Sequence, residues 1–108
     1  AANAPGNDIG VITPTAAISS LPFTPKESMD ALKFFYYKLG DKLWGPYGFY
    51  DAFSIQDLWF ASSTLAIDQG PIVIMIENHR SQLIWNLFTK SAEIKSGMRT
   101  LGFSAPYL

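Results

Sequence analysis

The chain has 108 residues, 48% of them apolar and 16% charged, with nine acids against eight bases for a net charge of −1. A near-neutral chain with no Lys/Arg cluster has little hold on a phosphate backbone, which excludes nucleic acid as the expected partner. No run reaches the roughly 20 apolar residues of a membrane span, and the absence of cysteine removes disulfides and thiolate metal sites without fixing the compartment.

Aromatics at 15% beside so little charge give a core-rich sequence whose apolar surface needs further polypeptide to cover it, because a small domain leaves much of its surface in water. No cationic, apolar and small-residue leader opens the chain, so any secretion signal is expected upstream or already removed. Ala1–Asp8 holds small residues and turn formers and reads as a loop. Thr13-Pro14 predicts a short helix through Ala16, Ala17 and Ile18, interrupted by Ser19, Ser20 and Pro22. The strongest helix start is Thr24-Pro25-Lys26-Glu27: Thr24 can cap a backbone N–H, Glu27 can reach back to Thr24, and Pro25 suits the first helical position. Met29, Leu32, Phe35/Tyr36 and Leu39 follow at spacings of three and four, with Gly40 as the stop, which predicts one buried stripe.

Trp44–Phe53 interleaves aromatics with glycines, a proline and a carboxylate, and reads as an ordered loop. After Trp59 a short helical or irregular segment leads to Ile67–Pro71, where Asp68 and Pro71 suggest a helix start with an ambiguous cap. Ile72–Ile76 is apolar all round, which suits a buried helix or a buried strand on periodicity alone. Pro71 before it and Glu77-Asn78-His79-Arg80 after it favour the helix. Leu83, Ile84, Leu87 and Phe88 mark another helical stripe, and Ser91 can cap a last helix with Ile94, Met98 and Leu101, closed by Gly102. The elements sum to an all-α chain of four or five helices without an alternating strand.

Two chemistries present themselves. Glu77 and Arg80, three apart on a helix, either form a local ion pair while Asn78 and His79 meet solvent, or project acid and base into a cavity. With Ile72–Ile76 buried on every side, Glu77 is expected to begin in the interior and to line or support a cleft, since an unpaired buried charge is costly. Tyr47, Phe49, Tyr50, Phe53, Trp59 and Phe60 either fill a core or form a platform for the C–H faces of pyranose rings, with Asp51 and Asp57 to take up hydroxyls. His79 is the single histidine, so no zinc site is expected. There is no Gly-x-Ser-x-Gly elbow, and the glycines of Trp44–Gly48 lack the context of a phosphate loop.

Three blocks carry a more specific signal: Gly10-Val-Ile-Thr-Pro-Thr-Ala-Ala-Ile-Ser-Ser20 with Pro22-Phe-Thr-Pro25; Leu39-Gly-Asp-Lys-Leu-Trp-Gly45 with Tyr47-Gly-Phe-Tyr-Asp-Ala-Phe53; and Ile67-Asp-Gln-Gly-Pro-Ile72 with Met75-Ile-Glu-Asn-His-Arg-Ser81. They closely resemble the bacterial glucoamylase-like (glycoamylase) family, through Leu101-Gly-Phe103. The resemblance implies that residues 1–108 are the C-terminal part of a single catalytic domain, an α/α toroid of the six-hairpin glycosidase type, with Ile72–Ile76 as a buried helix. Relatives include endo-β-1,2-glucanases, and similar domains occur in enzymes that make cyclic β-1,2-glucans.

The implied activity is hydrolysis of a β-linked glucan, β-1,2-glucan foremost, in the periplasm or at the cell surface. The implied partners are an oligo- or polysaccharide and the remainder of the domain, and no cofactor is called for. The alternative is a non-catalytic glycan-binding or structural toroid domain. An inverting glycosidase holds its two carboxyls about 6.5–9.5 Å apart. Because the family's acids lie mostly upstream of these blocks, this segment is expected to supply cleft wall through Tyr50, Asp51, Trp59, Asp68, Gln69, Glu77 and Arg80. His79 stands where the family commonly has tyrosine and Ser54 where asparagine is frequent, so both are candidates for an altered subsite contact.

Overall fold

The computed structural model of the chain describes residues 5–106 and 108. Of the loop expected at Ala1–Asp8, residues 1–4 lie outside that set and Pro5–Asn7 form one 3-10 turn. The chain divides into two compact units, Ala1–Ile76 and Glu77–Leu108, and each is taken by itself.

The first unit begins with helix α1 (Pro14–Ile18), entered through a proline as expected. Helix α2 (Pro25–Lys33) runs directly into a wide π-turn, Phe34–Lys38, and a short helix α3 (Gly40–Leu43) follows. Two expectations change here. Thr24 does not cap α2 with its side chain; its hydroxyl donates to the Ser20 carbonyl at 3.2 Å and meets the buried Ser28 hydroxyl at 2.9 Å. Gly40 does not end the helix either, because the break falls at Leu39 (φ −113°) and Gly40 opens α3. The π-turn spends an extra residue; of the predicted stripe Phe35 is buried and Leu32 and Leu39 pack partly buried on the core, whereas Met29 is exposed.

The stretch read as an ordered loop and the residues that follow it to Phe60 contain four strands of two residues each. Strand β1 (Trp44–Gly45) pairs antiparallel with β2 (Gly48–Phe49), and β3 (Phe53–Ser54) with β4 (Trp59–Phe60). Alternation needs four or more residues to register, so pairs this short leave no pattern. The core joins Ile18, Phe35, Leu43, Phe49 and Phe53, with Leu43 and Phe53 wholly buried. Phe35 meets Phe49 and Phe53 edge-on at centroid distances of 6.2 and 5.6 Å, and Phe53 stacks on Phe60 at 5.9 Å. Each fully buried ring of this kind contributes about 1.5–3 kcal/mol.

Helix α4 (Ala66–Ser81) starts ahead of Pro71, which therefore lies inside it; lacking an N–H, Pro71 leaves the Ile67 carbonyl without its helical donor. Ile72–Ile76 is helical as expected, but it is not buried on every side. Ile72 and Ile76, four apart, pack on the core, whereas Val73 and Ile74 are exposed, because one face of α4 is covered within this unit and the other is not.

In the second unit Gln82 takes a left-handed conformation (φ 58°) that separates the end of α4 from helix α5 (Leu83–Thr89). Asn78, expected in solvent, is buried, and its Oδ1 accepts the Trp85 N–H at 3.0 Å in the first turn of α5. Helix α6 (Ala92–Thr100) is capped by Ser91 as expected, its hydroxyl accepting from Ile94 N–H. Gly102 (φ 82°) closes it: Gly102 N–H donates to Arg99 O and Phe103 N–H to Met98 O, the paired bonds of a Schellman motif.

Among the described residues, seven hydrophobic side chains are buried and 22 large ones are exposed, whereas apolar patches beyond a few hundred Å² are uncommon on stable monomers. The isolated 108-residue chain is therefore expected to self-associate and to melt without a sharp transition. Light scattering and calorimetry test this; a cooperative transition from a monomer would contradict it.

Candidate functional site

The glycines among the aromatics are places where other side chains lie against the backbone. A Cβ on Gly45 would stand 2.7 Å from the Tyr50 ring, and one on Gly48 would stand 2.5 Å from Gln69 Oε1. Gly48 also has φ 106°, a conformation that L-residues rarely adopt. The β1–β2 hairpin thus seats Tyr50 and Gln69, and Gln69 Nε2 locks it by donating to the Phe49 carbonyl at 2.8 Å.

Just past Tyr50, Asp51 is held through its backbone: its N–H donates to Ser63 O at 2.9 Å and its carbonyl accepts the Thr13 hydroxyl at 2.7 Å. Asp68, in the first turn of α4, is held in the same way by the Thr15 hydroxyl, which donates to its carbonyl at 2.8 Å. The two carboxyls come together. Burial foremost, then a hydrogen bond with Asp51, then the charge of Asp51, raise the Asp68 pKa above the usual carboxylate value. An ionised carboxylate only accepts, so a hydrogen bond between the two forms when one of them is protonated, and the direction of the shift favours Asp68 as the one that keeps the proton as pH rises. Asp68 Oδ2 is buried and receives no donor among the described residues.

The other candidates are placed differently. Trp59 presents a half-exposed indole from β4. Glu77 and Arg80 form the local pair that their spacing allows, Arg80 Nε lying 3.4 Å from Glu77 Oε2 with the arginine 75% and the glutamate 30% exposed; Ser81 Oγ donates to Glu77 Oε1 at 2.7 Å. The expectation that Glu77 begins in a sealed interior and avoids an exposed pair fails, because the helix before it is covered on one face only. His79 is exposed. Ser54 is buried in the β3–β4 turn, accepting the Asp57 N–H at 3.2 Å and facing the Asp57 carboxylate at 3.3 Å, so its contacts here close a turn. A cavity of about 410 Å³ beside the first hairpin is lined by Ile18, Leu32, Trp44, Phe49, Gln69 and Ile72 among others. No carboxylate lines it.

Residues 1–92 match the family profile described as "Putative glucoamylase". The chain belongs to the Glycoamylase family. It is similar to a crystal structure of the same glucoamylase description from Bacteroides uniformis, at 58% identity and TM-score 0.94 over 100% of this chain and 26% of that one. It is also similar to the endo-β-1,2-glucanase of Chitinophaga pinensis solved with sophorotriose and glucose, at 50% identity and TM-score 0.90 over 97% and 25%. An exo-β-1,2-glucooligosaccharide sophorohydrolase acting from the non-reducing end, from Parabacteroides distasonis, is 40% identical over 90% of this chain and 14% of its own length. This Glycoamylase segment therefore spans about a quarter or less of the relatives it matches.

The Asp68 shift has a sign that can be checked. An acid whose folded pKa is raised contributes stability below its unfolded pKa and loses it as pH rises through the folded pKa. As pH rises the fold therefore bears the cost of ionising Asp68 beside Asp51, which Asp68→Asn removes while its amide can still donate to Asp51. In the full-length protein, the melting temperature of Asp68→Asn is expected to match or exceed the parent's at neutral pH. That advantage should vanish in the acid range where Asp68 is protonated. A variant destabilised equally at both would contradict the raised pKa of Asp68.

Proposed function

We propose that this chain forms the C-terminal part of an α/α-toroid catalytic domain in a periplasmic or cell-surface glycoside hydrolase acting on a β-linked glucan, β-1,2-glucan foremost. The observation that carries the reading is the 50% identity, over 97% of the chain, to an endo-β-1,2-glucanase whose structure holds sophorotriose and glucose. The exposed apolar residues Val73 and Ile74 of α4 and Leu87 and Phe88 of α5 support the toroid, whose helices need neighbours on more than one side.

In this reading Asp51 and Asp68 bind sugar and do not themselves form the opposed acid and base. Glycosidase carboxyls stand about 5–5.5 Å apart in retaining enzymes and about 6.5–9.5 Å apart in inverting ones, whereas these two lie close enough for each to act directly on the other. The acid and base then belong to the rest of the domain. Asp51 and Asp68 offer hydroxyl acceptors, Tyr50 and Trp59 offer rings to pyranose C–H faces, and Gln69 holds the hairpin on which Tyr50 rests. Glu77 and Arg80 contribute as a pair whose carboxylate is already engaged.

Incubating the full-length enzyme with β-1,2-glucan, β-1,3-glucan and starch is expected to release short oligosaccharides from β-1,2-glucan alone. No release from any of them would overturn the reading. Losing one charged hydrogen bond costs about 1.5–3 kcal/mol, so Asp51→Asn should lower kcat/KM roughly 10- to 100-fold. Glu77→Gln should lower it less, with helix content unchanged; kinetics equal to the parent's would remove Glu77 from the cleft.

A further inference from the structure

Thr13 and Thr15 lie two apart on the segment that enters α1, and each spends its hydroxyl on the backbone of one of the paired aspartates. Thr13 Oγ1 donates to Asp51 O at 2.7 Å and Thr15 Oγ1 to Asp68 O at 2.8 Å, across 38 and 53 residues of chain. Thr13 occupies the N-cap position of α1, where a threonine oxygen ordinarily accepts a backbone N–H of its own helix, yet it makes no such bond. Thr15 has a single hydroxyl proton. That proton is committed to Asp68 O, so Ser19, 3.1 Å away, donates to Thr15 and fixes its rotamer. Ile12, just before, is bridged to Phe53 in both directions, N to O at 2.8 Å and O to N at 2.9 Å. The segment 12–15 therefore crosses residues 51–53 and the start of α4 at fixed register.

We propose that Thr13 and Thr15 are positioning residues that clamp the backbones of Asp51 and Asp68 to one segment, so that the two side chains are presented to the glucan together. The inference rests on the glycosidase reading for the role of the pair, but the clamp itself is a matter of geometry. Asp51 is the titratable group acting on Asp68 among the described residues, so slackening either threonine bond should let the carboxyls part and admit water, returning Asp68 toward ordinary carboxylate behaviour.

The test uses the full-length protein with carboxyl-13C aspartate, its Asp51 and Asp68 resonances assigned from Asp51→Asn and Asp68→Asn, together with kcat and KM on β-1,2-glucan across pH. In Thr13→Val/Thr15→Val the titration of Asp68 should move down toward that of exposed aspartates. Misplacement of two sugar-binding carboxyls should raise KM on the order of tenfold while kcat stays within about twofold. Thr13→Ser/Thr15→Ser, which keeps both hydroxyls, should restore titration and KM. If the double valine variant does not fold, Thr15→Val alone, which keeps the Ile12–Phe53 bridge and the Thr13 bond, is read by the same criteria. An unchanged Asp68 titration and pH profile in the valine variants, or serine variants as impaired as valine, would overturn the clamp. A parent that releases no sugar would overturn the hydrolase reading instead, and the titration would still decide the clamp.

Discussion

Phe53 joins segments that are far apart in the chain. Its ring meets Phe35 of the π-turn and Phe60 of β4, and its backbone exchanges two hydrogen bonds with Ile12. With no exposed surface, it leaves the segments no freedom to slide, and Asp51, two residues earlier, is set against the 12–15 segment by the same contact. The first hairpin adds the second constraint, since Gly45 and Gly48 let Tyr50 and Gln69 press on backbone that a Cβ would occupy. What reaches α4 from both is a fixed approach of Asp51 to Asp68.

That approach sets packing against charge. Hydrophobic contact gathers the segments, and the carboxyl pair sits among them at an electrostatic cost that shows in the raised pKa of Asp68. The cost falls on Asp68, whose Oδ2 has no donor among the described residues.

Features that depend on residues within one turn were legible in the sequence. Ser91 and Gly102 bound α6, and the Glu77–Arg80 spacing gave an ion pair, because a cap or an i,i+3 contact is complete within a few residues. The Thr24 cap failed for an equally local reason, the competing hydroxyl of Ser28, which spacing alone does not rank. The two hairpins were too short to leave a period, and which face of α4 is covered depends on its neighbours and not on Ile72–Ile76. Asp51 was named from its place in the aromatic stretch and Asp68 through family resemblance, but their contact was not, since it follows from the tertiary tie at Phe53. Thr13 and Thr15 left no signal at all: a threonine beside a helix start reads as a cap, and only the fold reveals that its hydroxyl serves a carbonyl 38 or 53 residues away.

The function proposed above places the Asp51–Asp68 pair against a sugar. A crystal structure of the full-length protein with a β-1,2-linked glucooligosaccharide measures this directly. The account expects a sugar hydroxyl within hydrogen-bonding distance of the Asp51–Asp68 pair, with the two carboxyls still in contact. A sugar bound elsewhere, with both carboxyls sealed off by protein donors from the rest of the domain, would contradict it.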